Sequence, residues 1–257
     1  MSIDSAIDSV MNSAIDIDLV VVLVAALWGA ATGALLPRAA YRFSAPSGEA
    51  WRERCPDGHP VRGSLGRARC GQCPAGQASH GPRTASLATA LVCAALAAAT
   101  GTRPEAAVWL LLAPVGVLLA VVDLKVRRLP DPLTLPLAGA ALVLLGLTAL
   151  VPEHAGEWTT ALLGALALGA GYLVLFLINP AGMGFGDVKL ALTAGAVLGW
   201  YGWPTLMLGT FAGFLLGALY GGALLVARRA DRKTAIPFGP FLIAGAFLGV
   251  LAGAYAA

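Results

Sequence analysis

The sequence predicts an all-α, polytopic membrane protein of about eight transmembrane helices, with a cytoplasmic loop after the first. Three observations predict it. Of 257 residues, 58% are hydrophobic and only 12% are charged, whereas a soluble domain carries about 25% charged residues. Uncharged runs recur at about 19–36, 86–101, 106–122, 132–151, 158–178, 203–227 and 235–257, and a spanning helix needs about 20 apolar residues. The basic residues also sort to one side, as they do in cytoplasmic connections. With the N-terminus outside, the inner segments are 37–85, 123–131, 179–189 and 228–234. They hold every one of the 17 Lys and Arg residues except Arg103.

The elements follow in chain order. The N-terminal tail, MSIDSAIDSVMNSAIDID, carries aspartates and no Lys or Arg, so it lacks the basic n-region of a cleavable signal peptide. After the span at 19–36 comes the one long polar segment, rich in Arg, Pro and Gly. This divides the chain into residues 1–85, one helix plus a loop, and residues 86–257, seven helices with short connections. The run 190–202 is short. It reaches spanning length only if its helix begins near Asp187, with Lys189 snorkelling to the interface; counted so, it is the sixth of eight spans. Outer connections carry Glu105, Glu153, His154 and Glu157, and both termini are expected outside. Small residues in 208-LGTFAGFLLGALYGG-222 allow close helix packing, and Cys93 reads as a small buried hydrophobe.

Ionisable groups at the edge of spans are costly and mark function by default. Asp123 and Asp131, in 121-VVDLKVRRLPDPLTLP-136, and Asp187, in 181-AGMGFGDVKL-190, sit at inner helix ends. Asp123 closes the third span and Asp187 opens the sixth. If those helices adjoin, the two carboxylates meet. Carboxylates that share a site hold one proton between them near neutral pH. Such a pair suits peptide hydrolysis, one member taking a proton from water while the other polarises the scissile carbonyl. Gly182, Gly184 and Gly186 are expected to bind substrate by clearing room for an extended backbone and by permitting positive φ. From the residues alone, Asp187 is equally readable as a helix cap or as part of an ion or proton pathway. Asp131 reads as a cap at a turn and helix start.

The segments GMGFGD, VVDLKVRRLPDPLTLP and the later IPFGP at 236–240 together resemble the type IV prepilin peptidase (leader peptidase) family, the GxGD membrane aspartic proteases, in the family's order and across essentially the whole chain. The resemblance implies that Asp123 and Asp187 are the catalytic pair. It implies that prepilins or pilin-like proteins are the substrates, cut at the cytoplasmic face of a bacterial cytoplasmic membrane between a short basic leader and an apolar helix. The partners so implied are those substrates and the lipid bilayer, with no nucleic acid. Larger members also methylate the new N-terminus with S-adenosylmethionine, an activity associated with the N-terminal half and its loop. Here "GAATGALLPRAAYR" after Gly29 lacks the asparagine of the family's opening, so S-adenosylmethionine is a cofactor only if that activity is retained. Many larger members carry two CxxC pairs in the loop. This chain keeps Cys70-Gly-Gln-Cys73, while the first pair reads 55-CPDGHP-60. Cys55, His59, Cys70 and Cys73 could form a tetrahedral Cys3His structural zinc site. The Arg-rich loop could also face anionic lipid. Two rival readings are a proton- or ion-coupled transporter that uses the aspartate pair and an inactive pilus-assembly scaffold.

Overall fold

The computed structural model describes residues 3–46, 48–61, 63–66, 82–180, 182–228 and 236–257. Among them are eight helices: α1 (Ile3–Phe43), α2 (Pro82–Thr100), α3 (Glu105–Val126), α4 (Asp131–Thr148), α5 (Trp158–Ile178), α6 (Phe185–Gly199), α7 (Trp203–Val226) and α8 (Gly239–Ala256). Seven are long and apolar enough to cross a membrane; α6, at 15 residues, is not. Helices stand at all eight expected places with shifted ends, but the sixth falls short of the spanning length expected of it. The largest shift is in α1, which extends beyond 19–36 at both ends and carries Pro37 inside it.

α6 is the central element. It packs on α4, α5, α7 and α8, and no residue from Asp187 to Trp200 is exposed. The α5–α6 contact is nearly backbone to backbone, since a Cβ on Gly164 would lie 2.5 Å from the Gly195 carbonyl. Glycine is required at such an approach. α1 lies against α2 and α3, outside the contacts that surround α6.

Hydrogen bonds sort the connections into two ends. At one end Arg103 Nη2 donates to the Ala254 carbonyl, and Glu157 N donates to the Trp200 carbonyl (2.9 Å). At the other end Gly239 N donates to Asp123, and Arg128 Nη1 donates to the Pro46 carbonyl. The second end carries the described Lys and Arg residues other than Arg103. Glu105 sits at the same end as Arg103 and is fully buried at the start of α3, with Oε1 accepting from Ala155 N at 3.3 Å. The N-terminus of a helix favours a negative charge at that place.

The polar loop folds back on α1. Arg38 N and Gly66 N pair with the Gly66 and Leu35 carbonyls, and Tyr41 Oη donates to the Arg54 carbonyl. Arg128, between α3 and α4, clasps the loop. Its guanidinium lies 4.1 Å from the Trp51 ring centroid, and it donates to the carbonyls of Pro46 (3.0 Å) and Glu49 (3.2 Å).

Candidate active site

Asp123 lies one turn before the end of α3. The helix stops because Arg127 turns left-handed, at φ 53° and ψ 40°, with its N–H returning to the Asp123 carbonyl. The short link that follows turns Leu129 inward, 7% exposed. Leu129 wedges between the starts of α6 and α8. A Cβ on Gly186 would lie 2.8 Å from Leu129 Cβ, and one on Gly239 would lie 3.4 Å from its Cδ1.

Both carboxylates are buried around this wedge, Asp123 4% and Asp187 6% exposed. Each is held by a backbone N–H at a helix start. Gly239, the first residue of α8, donates to Asp123 Oδ2 at 3.1 Å, and Gly184, the N-cap of α6, donates to Asp187 Oδ2 at 3.2 Å. Helix N-termini stabilise negative charge, which offsets part of the cost of burying these groups. Asp187 therefore does take the cap role read for it, at the third position of its helix, but that bond uses one oxygen only.

α3 and α6 do not pack on one another, contrary to the simplest expectation. α4 and α8 each pack on both and hold them apart. Both carboxylates nonetheless lie beside the Leu129 wedge, Asp187 directly after Gly186, which packs on it, and Asp123 against Gly239, which also meets it. An apolar cavity of 420 Å³ lies between α2, α3, α6 and α8, with Leu137 of α4 also in its wall. Its end nearest the carboxylates includes Val121, Leu190 and Pro240, neighbours in sequence of Asp123, Asp187 and Gly239.

The three glycines before Asp187 do not take the positive φ expected of them. Gly186 packs on Leu129, a Cβ on Gly182 would meet the Asn179 amide, and Gly184 supplies the N–H for Asp187. Asp131 is also corrected. Pro130 is the N-cap of α4, and Asp131, the next residue, instead pairs with Lys189 at 2.7 Å. Lys189 does not snorkel freely; its side chain is 16% exposed, and its ammonium lies 5.0 Å from the Phe185 ring centroid.

In the loop, Cys55, Asp57 and His59 place one ligand atom each within 4.8 Å of one another. A turn through Gly58 (φ 83°) brings them together, with Cys55 N donating to the His59 carbonyl and Cys55 Sγ 3.5 Å from His59 Nδ1. A thiolate, an imidazole and a carboxylate fit a zinc ion by type. Asp57 was not expected in this group. Cys70 and Cys73 lie outside the described residues. Sequence reasoning also missed Leu129 and Gly239. The only signal for Gly239 was its place in IPFGP.

Residues 110–222 match the family model described as the type IV leader peptidase family, a stretch that contains both aspartates and Leu129. Over that stretch the chain is a member of the type IV leader peptidase family. A prepilin leader peptidase/N-methyltransferase of Aeromonas salmonicida is 36% identical over 196 residues, covering 73% of this chain and 63% of the relative. The protein of the same name from Pseudomonas aeruginosa is 35% identical over 196 residues, covering 71% and 63%. That of Escherichia coli is 35% identical over 144 residues, covering 51% and 57%. The chain thus spans less than two thirds of the length of these curated relatives. No solved structure matches it.

Proposed function

We propose that this protein is a membrane aspartic endopeptidase that removes the basic leader from prepilins or pilin-like proteins, with Asp123 and Asp187 as its catalytic pair. The observation that carries the reading is the convergence of the two buried carboxylates on Leu129, each fixed through Oδ2 by a backbone N–H. Sharing a site, they share a proton. The ionised member takes a proton from water as it attacks the scissile carbonyl, and the protonated member hydrogen-bonds the carbonyl oxygen as charge develops there. The proton then passes to the leaving amine. With one oxygen of each acid anchored, the other is available for these transfers.

The apolar cavity beside the pair gives the hydrophobic stretch that follows a leader a place along α3, α6 and α8, and Gly182, Gly184 and Gly186 line the approach of its backbone. The end that carries the pair faces the cytoplasm of a bacterial inner membrane, with both termini on the far side, in keeping with the location of the Lys and Arg residues. Residues 86–257 form the peptidase part and 1–85 an accessory part. Cys55, Asp57 and His59 would hold a structural zinc, with Cys70 and Cys73 as further candidate ligands. N-methylation with S-adenosylmethionine, an activity in the relatives' printed name, would belong to the accessory part if this chain retains it.

The test is co-expression in membranes with a candidate prepilin, followed by mass analysis of the product's N-terminus, which reads both the cut and any added methyl. Asp123→Asn and Asp187→Asn should each abolish cleavage while the protein stays folded. Cleavage by either variant at more than about a hundredth of the wild-type rate would remove the paired mechanism, since loss of a proton-transferring group costs roughly 10²–10⁴-fold.

A further inference from the structure

Tyr172 of α5 is 2% exposed, and its hydroxyl has no hydrogen-bond partner among the described residues. Phenylalanine would fill nearly the same space without that cost, because a buried, unbonded hydroxyl is unfavourable. The ring cannot swing away to find a partner. It lies 5.8 Å from the Phe214 centroid and 5.9 Å from that of Phe238, and those two rings are 5.2 Å apart.

The cage ties Tyr172 to the carboxylate pair. Phe238 immediately precedes Gly239, whose N–H holds Asp123. Leu129 and Val188, the wedge and the neighbour of Asp187, belong to the same apolar cluster as Tyr172. On either side of Tyr172, Gly169 packs against Leu192 and the Phe176 ring lies 5.4 Å from that of Phe185, so Tyr172 stands level with the first turn of α6, where Asp187 lies. Backbone already serves Asp187 Oδ2, so a second donor would complete the orientation of that carboxylate.

We propose that Tyr172 is a positioning residue of this site, its hydroxyl donating to the Asp187 carboxylate directly or through one water. The proposal rests on the peptidase reading for its purpose, but not for its detection. Hydrogen bonds in such sites tighten when substrate binds, and a donor whose ring is locked loses little freedom in making one.

The test is Tyr172→Phe, which keeps the ring and its contacts and removes only the oxygen. Its melting temperature should equal or exceed that of the wild type. The kcat for prepilin cleavage should fall on the order of 10- to 100-fold with KM little changed, the size of one hydrogen bond to a charged group. Independently of activity, the infrared carboxyl band lost in Asp187→Asn should shift in Tyr172→Phe, because it senses the hydrogen bond. A folded variant with wild-type kcat, or with that band unmoved, overturns the proposal. If the wild type cleaves no prepilin, the peptidase reading fails, and the infrared band alone decides whether Tyr172 bonds to Asp187.

Discussion

Replacing Gly239 with alanine perturbs the site by a single methyl group. The added Cβ would stand 2.7 Å from Asp123 Oδ2 and 3.3 Å from its Cγ, closer than real Cβ atoms come to an oxygen. The carboxylate must recede by about a few tenths of an ångström or turn, and the 3.1 Å bond from Gly239 N lengthens past useful range, since hydrogen bonds weaken steeply with poor geometry. A hydrogen bond to a charged group contributes about 1.5–3 kcal/mol, which corresponds to roughly 10- to 150-fold in rate if the lost orientation is felt in the transition state. The helix should not suffer, because alanine is favoured over glycine by up to about 1 kcal/mol in a helix. Cleavage is therefore expected to fall on the order of tenfold or more, and thermal melting to fall by no more than the same lost contact, about 1.5–3 kcal/mol. Gly222→Ala is the control, since a Cβ there meets nothing within 4 Å. A Gly239→Ala protein that cleaves at the wild-type rate would refute the role given to this contact.

Asp131→Asn should keep substantial cleavage activity and lose less than about 1 kcal/mol of stability, because its pair with Lys189 is largely open to solvent on the aspartate side; thermal melts and a cleavage assay check both. Arg128→Ala removes a cation–π contact and two hydrogen bonds from the loop, together about 2 kcal/mol. Limited proteolysis within residues 44–66 should speed up by roughly 30-fold while the helices remain protected. Purified protein should bind zinc in a competition titration. Cys55→Ser should weaken that binding more than Asp57→Ala, because the thiolate is the softer and stronger ligand.

Much of the fold was legible because lipid imposes a simple rule on the chain: long apolar runs for the spans, with Lys and Arg on one side. The placement of Asp123 and Asp187 at helix ends followed from the same rule. What separates them in space did not. That α4 and α8 intervene between α3 and α6 depends on side-chain volumes at each helix contact, and Leu129 looks like any other apolar residue until its neighbours are placed. The cap at Asp131 was misread because Pro130 and Asp131 carry overlapping start signals, while the Lys189 that takes its charge is remote in sequence. Asp57 escaped notice because the metal pattern sought was one of cysteines and histidines. Tyr172 lies in a uniformly apolar run, where a tyrosine reads as bulk.

The shortness of α6 has a consequence for the surrounding lipid. At about 1.5 Å per residue, its 15 residues span roughly 22 Å, well under the ~30 Å thickness of a hydrocarbon layer. Since its neighbours shield it from lipid, α6 need not match that thickness, and its start can sit as the floor of a well sunk below the headgroups. Water entering the well would meet a polypeptide before it had fully left the fatty layer. On the proposed function, cutting there would require the incoming chain to unravel at its end, and the ease with which a substrate's first helical turn melts would become a selection criterion in its own right.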